Sequence, residues 1–293
     1  MRTKQLLLAL LLSLIGIHVA EAESYTPVKG GKIVTDDGIY IVTGDNIIPN
    51  SDFSNGLTGW KAGDNSDLSA DNFEIITDGG PDGGPCIHAL GGAGSSSNQT
   101  IKTGWAIEIG KTYVFTVWAY RTQSGMSSNT QYSQVWQSKS ETDADTEIGK
   151  IKYQADTWVQ SQFVFTAEKP YFVAKFAWLN KASSFAHFFL AEVEKSNELV
   201  TTSLEASIAT AQETLDTTEE GDEKGQYTTA VRKTLSDAIA AAKNVLDTAT
   251  TQDEINDAKK ALDAAVKTYT ASKNPPFKLG VGYTITNVAR SEE

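Results

Sequence analysis

The sequence predicts an all-β sandwich followed by an all-α three-helix bundle. Three observations predict it. All six tryptophans and most of the glycine lie before residue 195, whereas residues 196–273 are rich in Ala, Thr, Asp, Glu and Lys and hold no tryptophan. The first part alternates apolar and polar residues over short runs, the pattern of half-buried strands. The second part spaces its apolar residues by three, four and seven, which makes one stripe per helix. The boundary between the two falls at Lys195-Ser196-Asn197.

Residues 1–22 form a separate element. Arg2 and Lys4 precede an apolar run from Leu6 to Val19, and Ala20-Glu21-Ala22 follows. This is the layout of a cleavable secretory signal, and the run is too short for a comfortable membrane span. No cysteine follows it, so the lipid-anchored form of such a signal is not expected. The predicted product is secreted, periplasmic or at the cell surface, with no membrane span. Its one cysteine, Cys86, cannot close a disulfide within the chain, so an exported product must be stabilised by its core.

The β part is read as residues 23–195. An apolar run, Ile39-Tyr40-Ile41-Val42, opens it. Strand candidates follow at 72–77, 87–90, 98–103, 112–121, 131–138, 158–166, 171–179 and 185–194. Gly-, Ser- and Asp-rich turns at 78–85, 91–97, 123–128 and 140–145 separate them. Many short strands with frequent turns indicate a sandwich. In 112–121, Tyr113, Phe115, Val117 and Ala119 share one face, expected to be core. Val114, Thr116, Trp118 and Tyr120 share the other.

The helical part is read as residues 196–273. Its stripes are Leu204, Ile208, Ala211 and Leu215; Val231, Leu235, Ala238, Ala242 and Val245; and Ile255, Leu262, Ala265 and Tyr269. Gly221 and Gly225 separate the first two helices. Thr251-Gln-Asp-Glu254 fits a capping box at the start of the third, and Pro275-Pro276 bounds its end. Short polar loops then make the bundle antiparallel. Residues 274–293 form a tail in which Phe277–Val288 reads as one strand, and a lone strand has no independent stability.

The formal net charge is −12 for the whole chain. Such a balance disfavours nucleic acid, whose phosphates would be repelled, and polyanionic glycans for the same reason. No catalytic residues are predicted. The sequence holds no G-x-S-x-G, no H-E-x-x-H and no phosphate-cradling loop, and His88 and His187 both sit in apolar strand contexts, where a structural role is the simpler reading.

Asn46–Trp60 reads N-I-I-P-N-S-D-F-S-N-G-L-T-G-W. Farther on come Gln99-Thr100-Ile101, then Gly110-Lys111-Thr112-Tyr113-Val114-Phe115, and Trp158 before Phe163-Val-Phe-Thr. In this order and spacing the stretch 46–194 resembles carbohydrate-binding modules of families 4 and 9, which are galactose-binding-like jelly rolls. E-G-D-E-K-G-Q-Y at 220–227, with the Ala-rich helix after it, resembles FIVAR-type helical modules. The resemblance implies a non-catalytic protein that binds a polysaccharide or other glycan. The alternatives are a structural or adhesion scaffold that contacts other exported proteins, and the non-catalytic part of a larger glycan-active enzyme.

Sugar binding needs exposed aromatic planes and a few hydrogen-bonding groups. Trp118 and Tyr120 on one strand, Tyr132, Gln134 and Trp136 on another, and Trp178 beside Phe176 are the candidate residues. The first five are expected to line one concave sheet. Trp60 and Trp158 match structural positions of the family and are expected as core plugs; Trp105 is assigned neither role. These jelly rolls commonly hold a structural calcium ion between an acidic residue of the opening region and an Asp near the last strand. Here Asp52 and Glu192 are the implied ligands, although Ala191-Glu192 stands where relatives often have two aspartates.

Overall fold

The computed structural model describes residues 25–90, 100–122, 133–177 and 183–275. Residues 1–22 (read as a signal), Tyr132, Trp178 and residues 277–288 (read as a strand) fall outside the described residues. The chain divides into two compact units that meet in sequence at Lys195/Ser196, with Val34–Ile39 grouped with the second.

Eleven strands are described, all in the first unit except for Val34–Thr35 of the first strand and Gly38–Ile39 of the second, which group with the second unit. These are β1 (Lys32–Thr35), β2 (Gly38–Val42), β3 (Phe73–Ile76), β4 (Cys86–Ala89), β5 (Ile101–Ala106), β6 (Thr112–Arg121), β7 (Gln134–Ser138), β8 (Thr146–Lys150), β9 (Val159–Thr166), β10 (Tyr171–Phe176) and β11 (Ser183–Lys195). They form two antiparallel sheets. One has seven strands, ordered β1-β2-β11-β4-β3, with β6 pairing β11 and β9; the other has four, ordered β5-β10-β7-β8. β1 and β8 were not anticipated. Thr146–Lys150 carries one apolar residue, Ile148, and too little alternation to read as a strand.

The sheets form a sandwich around one apolar core. Phe115, Val117, Ala119, Phe185, Phe188 and Leu190 reach it from the seven-stranded sheet; Ile101, Trp105, Val135, Phe172, Ala174 and Phe176 reach it from the other. Trp60, 1% exposed, plugs one part of it. Its ring lies 4.6 Å from Phe188, 5.4 Å from Phe53 and 5.8 Å from Trp105. Trp105 is therefore core. Trp158 is not: it is half-buried, outside the core and 5.6 Å from Tyr120. It stands just before β9 begins, so the pleat that buries Phe165 does not act on it.

The inward face of β6 is buried as expected, but the other face is open only at one end. Val114 and Thr116 are buried there, and Val114 joins a second apolar cluster with Ile33, Tyr40, Val42, Phe189, Ala191 and Val193. This cluster depends on an irregularity in β11. The register with β6 shifts between Ala186 and Phe189, and His187 has φ of +52°. The extra residue lets Phe185 and Phe188 both face the main core, although they are three apart, and sends Phe189 to the other side.

Cys86 on β4 is 1% exposed, and burial pushes its thiol up to about 11. The folded state thus favours the thiol between the ordinary value of 9.0 and about 11. Stability should fall as pH rises through that window, where the unfolded chain loses the proton first. Iodoacetamide should label Cys86 at pH 8 only on unfolding; rapid labelling of the native protein would contradict its burial.

The second unit contains helices α1 (Thr202–Asp216), α2 (Thr229–Thr248) and α3 (Gln252–Ala271). Leu204, Ile208 and Ala211 of α1, Leu235, Ile239 and Ala242 of α2, and Ile255, Leu262 and Tyr269 of α3 form its core. Tyr227 stacks on Tyr269 with centroids 4.3 Å apart. The capping box is complete. Thr251 accepts from Glu254 N, and the Glu254 carboxylate accepts from the backbone N–H groups of Thr250 and Thr251. Those two bonds, Thr250 first, hold the Glu254 carboxyl below its ordinary value. Thr251→Ala should cost the helical unit about 1 kcal/mol, read as an earlier loss of the 222 nm dichroism on heating. An unchanged melt would show that the cap is dispensable.

Candidate functional site

The outer face of the four-stranded sheet is organised by register. Ile101, Trp105, Val135, Phe172, Ala174 and Phe176 point into the core, so their strand neighbours point out. Lys175 of β10 pairs with Lys102 of β5 on one side and Gln134 of β7 on the other, and Gln134 pairs with Lys150 of β8. The next outward row is Gly104, Val173, Trp136 and Glu147. The third is Ala106, Tyr171 and Ser138.

Trp136 is half-buried and stands between β10 and β8, away from any edge. Gln134 is two residues before it on the same face and donates its amide to Glu147 Oε2. The loop that joins β7 to β8 roofs part of this face. A Cβ on Gly104 would lie 2.3 Å from the Glu141 carbonyl oxygen, so glycine there lets the loop pack onto the sheet. The outward-facing Val173 and Ser138 are accordingly buried. Asp145 anchors the loop. It accepts from Lys139 N at 3.0 Å and pairs with Lys169 at 3.4 Å, and these contacts, the Lys139 N–H first, hold its carboxyl below its ordinary value. The roof thus covers Gly104 and Val173 in the Trp136 row, while Trp136, Glu147 and the lysine row keep surface open to solvent.

Trp118 and Tyr120 lie elsewhere. They belong to β6 in the seven-stranded sheet, whereas Gln134 and Trp136 belong to β7 in the four-stranded sheet. Both pairs face outward, so the expectation of one shared concave sheet is corrected: the sandwich core separates them. Alternation identified the outward faces, but not which strands become neighbours. On its own face Tyr120 stands beside Trp158, and Trp118 donates its indole N–H to Tyr25 O at 2.9 Å. The Tyr25 ring also stacks on His187, whose nitrogens lie 2.6 Å from Thr26 Oγ1 and 2.9 Å from Asp82 Oδ1. His88 lies 2.8 Å from Ser184 Oγ. Trp118 and His187 therefore hold residues 25 and 26 against the sheet.

The two implied calcium ligands do not converge. Asp52 lines a small pocket of about 160 Å³ with Thr26, Ser51, Pro85, His187 and Phe188. Its carboxylate accepts from Ser54 N and Oγ, the backbone bond first, which lowers its pKa. Glu192 instead pairs with Lys111 at 3.0 Å. It is four residues beyond Phe188 on β11, roughly 13 Å along a strand. Among the described residues no three His, Cys, Asp or Glu side chains form a metal-holding group. Calcium takes six to eight oxygens, and these separated carboxylates do not fit a shared ion.

Residues 45–177 match the family model for a carbohydrate-binding domain. The matched segment runs from the opening motif through β10, so it contains the whole four-stranded sheet and ends before β11 and the helices. Among solved structures, the chain is similar to "Family 16 Carbohydrate Binding Module-2" at 18% identity, with 50% of this chain and 100% of that chain covered and a TM-score of 0.36. It is similar to the CBM22-1 xylan-binding domain of Paenibacillus barcinonensis Xyn10C at 11% identity, covering 52% and 97%, with a TM-score of 0.36. A third likeness, titled "CBM4 structure and function", has 16% identity over 50% and 99%, with a TM-score of 0.32. No curated protein matches the chain.

Proposed function

We propose that the protein is an exported, non-catalytic glycan-binding protein whose ligand lies on the outer face of the four-stranded sheet. One observation carries the choice of face. Trp136, inside the segment that matches the carbohydrate-binding family, is half-buried on an outward row with an amide, Gln134, two residues away. The indole offers a plane for the C–H face of a pyranose ring, and a primary amide both donates and accepts bonds to hydroxyls. Glu147 holds Gln134 in place and is itself an acceptor. Tyr171, half-buried on the next row, extends the surface.

The export reading rests on Arg2, Lys4, the apolar run Leu6–Val19 and Ala20-Glu21-Ala22. No described helix is long and apolar enough to cross a membrane. The non-catalytic reading rests on the matched family, which is named for binding.

The test is calorimetric titration of the mature full-length chain against a panel of plant, algal and microbial polysaccharides. Saturable binding of at least one is expected. A panel without any heat of binding, in a protein that melts cooperatively, would leave the outer face as scaffold and sink the proposal.

A further inference from the structure

We propose that the glycan taken on this face is acidic, with Lys102 and Lys175 binding a carboxylate or sulfate group of the polymer beside Trp136. The inference rests on the glycan reading of the same face and narrows it to a substrate class.

The geometry that carries it is the lysine row. Lys102 and Lys175 are direct cross-strand partners on the outward face, Gln134 continues the row and Lys150 ends it. With strands about 4.8 Å apart, the row spans roughly 14 Å. Like charges directly opposite each other in a sheet are destabilising. Among the described residues, neither Lys102 nor Lys175 has an ion-pair partner within 4 Å; Asp145, Glu108, Glu192 and Asp67 take other lysines. Both lysines are half-buried. Burial first, then the charge of Lys175, holds the Lys102 ammonium below its ordinary value, against the pull of Asp143. The folded protein thus maintains a repulsive pair that an anion bound between the two ammoniums would neutralise.

Other acidic groups bound this patch without cancelling it. Glu147 is on the neighbouring row and engages Gln134, Asp145 is paired with Lys169, and Asp143 acts on Lys102 from the roofing loop. The chain as a whole carries −12, which repels a polyanion at long range. That field is screened beyond about 8 Å at physiological salt, so groups already seated on the face respond to the two nearest ammoniums. The expectation that polyanionic glycans are unfavourable holds for the whole surface and reverses at this row.

Calorimetry on the mature full-length chain tests it with three probes: an oligogalacturonate, the same oligosaccharide after reduction of its carboxyl groups, and a sulfated galactan. The acidic probes should bind at least tenfold more tightly than the reduced one. That advantage should shrink tenfold or more in 0.5 M NaCl and in Lys102→Met/Lys175→Met. The tighter of the two acidic probes identifies carboxylate or sulfate as the source of the charge. The double variant should melt at or above the temperature of the parent, because the opposed charges are gone; Lys102→Arg should keep the binding. If neutral and acidic probes bind alike and the lysine variants change nothing, the acidic preference is wrong while the glycan site stands. If a neutral panel and the acidic probes all fail to bind, the glycan reading fails and the acidic preference falls with it.

Discussion

Trp60→Ala is expected to cost the sandwich roughly 3–5 kcal/mol, the range for truncating a large aromatic in a packed core. The ring is 1% exposed and touches Phe53, Trp105 and Phe188. Its indole N–H also donates to Asn50 O at 3.3 Å. Asn50 holds the surrounding turn, with its side chain bonded to the Gly56 and Thr58 carbonyls and to Asn55 N. Truncation therefore opens a cavity and removes the donor that serves the same turn. For a unit of this size each kcal/mol shifts the midpoint by about 2–4 °C, so a fall of roughly 6–20 °C is expected. Trp158→Ala, half-buried and beside Tyr120 alone among the described aromatic rings, should cost only about 1 kcal/mol. Thermal melts of the two variants separate the roles; equal losses would place both rings in the core.

The sequence carried the fold where a pattern was local. Thr112–Arg121 was read to the residue because ten residues of unbroken β propensity lie between a glycine turn and a polar loop. The capping box at Thr251 and Glu254 was legible for the same reason: both ends of the motif lie within four residues. Trp158 was misplaced because a large aromatic before an apolar strand looks like a plug, whereas burial depends on whether the strand's pleat already includes it. β8 carries little signal because its inward-facing residue, paired with Val135, is a glycine: a Cβ on Gly149 would lie 2.4 Å from the Phe163 ring. The strand fills the core with another residue's side chain and so shows no alternation of its own.

The site was legible as outward faces and illegible as a surface. Tyr132, Gln134 and Trp136 were grouped by alternation, which is a property of one strand. Whether Trp118 joins Trp136 depends on sheet membership, and β5, β10, β7 and β8 are neighbours that the chain visits out of order. The same non-local pairing hid the lysines. Lys102 and Lys175 each alternate with core residues, a signal present in the sequence, but they are far apart in the chain and only the β5–β10 register sets them side by side. A net charge summed over the chain could not show a local excess of the opposite sign.

Trp136→Ala is expected to weaken glycan binding about tenfold or more while leaving the fold intact. A stacked aromatic contributes roughly 1–2 kcal/mol by analogy with other aromatic contacts, and about 1.4 kcal/mol is tenfold in affinity. The fold should survive because the ring is half-buried on the outer face, with Val135 holding β7 to the core from the other side. Trp118→Ala is the matched control: the same residue type, also outward, but on the seven-stranded sheet. Its loss should release the Tyr25 contact without changing affinity. Titration beside thermal melts reads both variants. Loss of affinity in Trp118→Ala with none in Trp136→Ala would move the binding face to the other sheet. A collapse of the fold in Trp136→Ala would show that the roofing loop and Trp136 together act as a second core layer, and the glycan would then have to bind elsewhere.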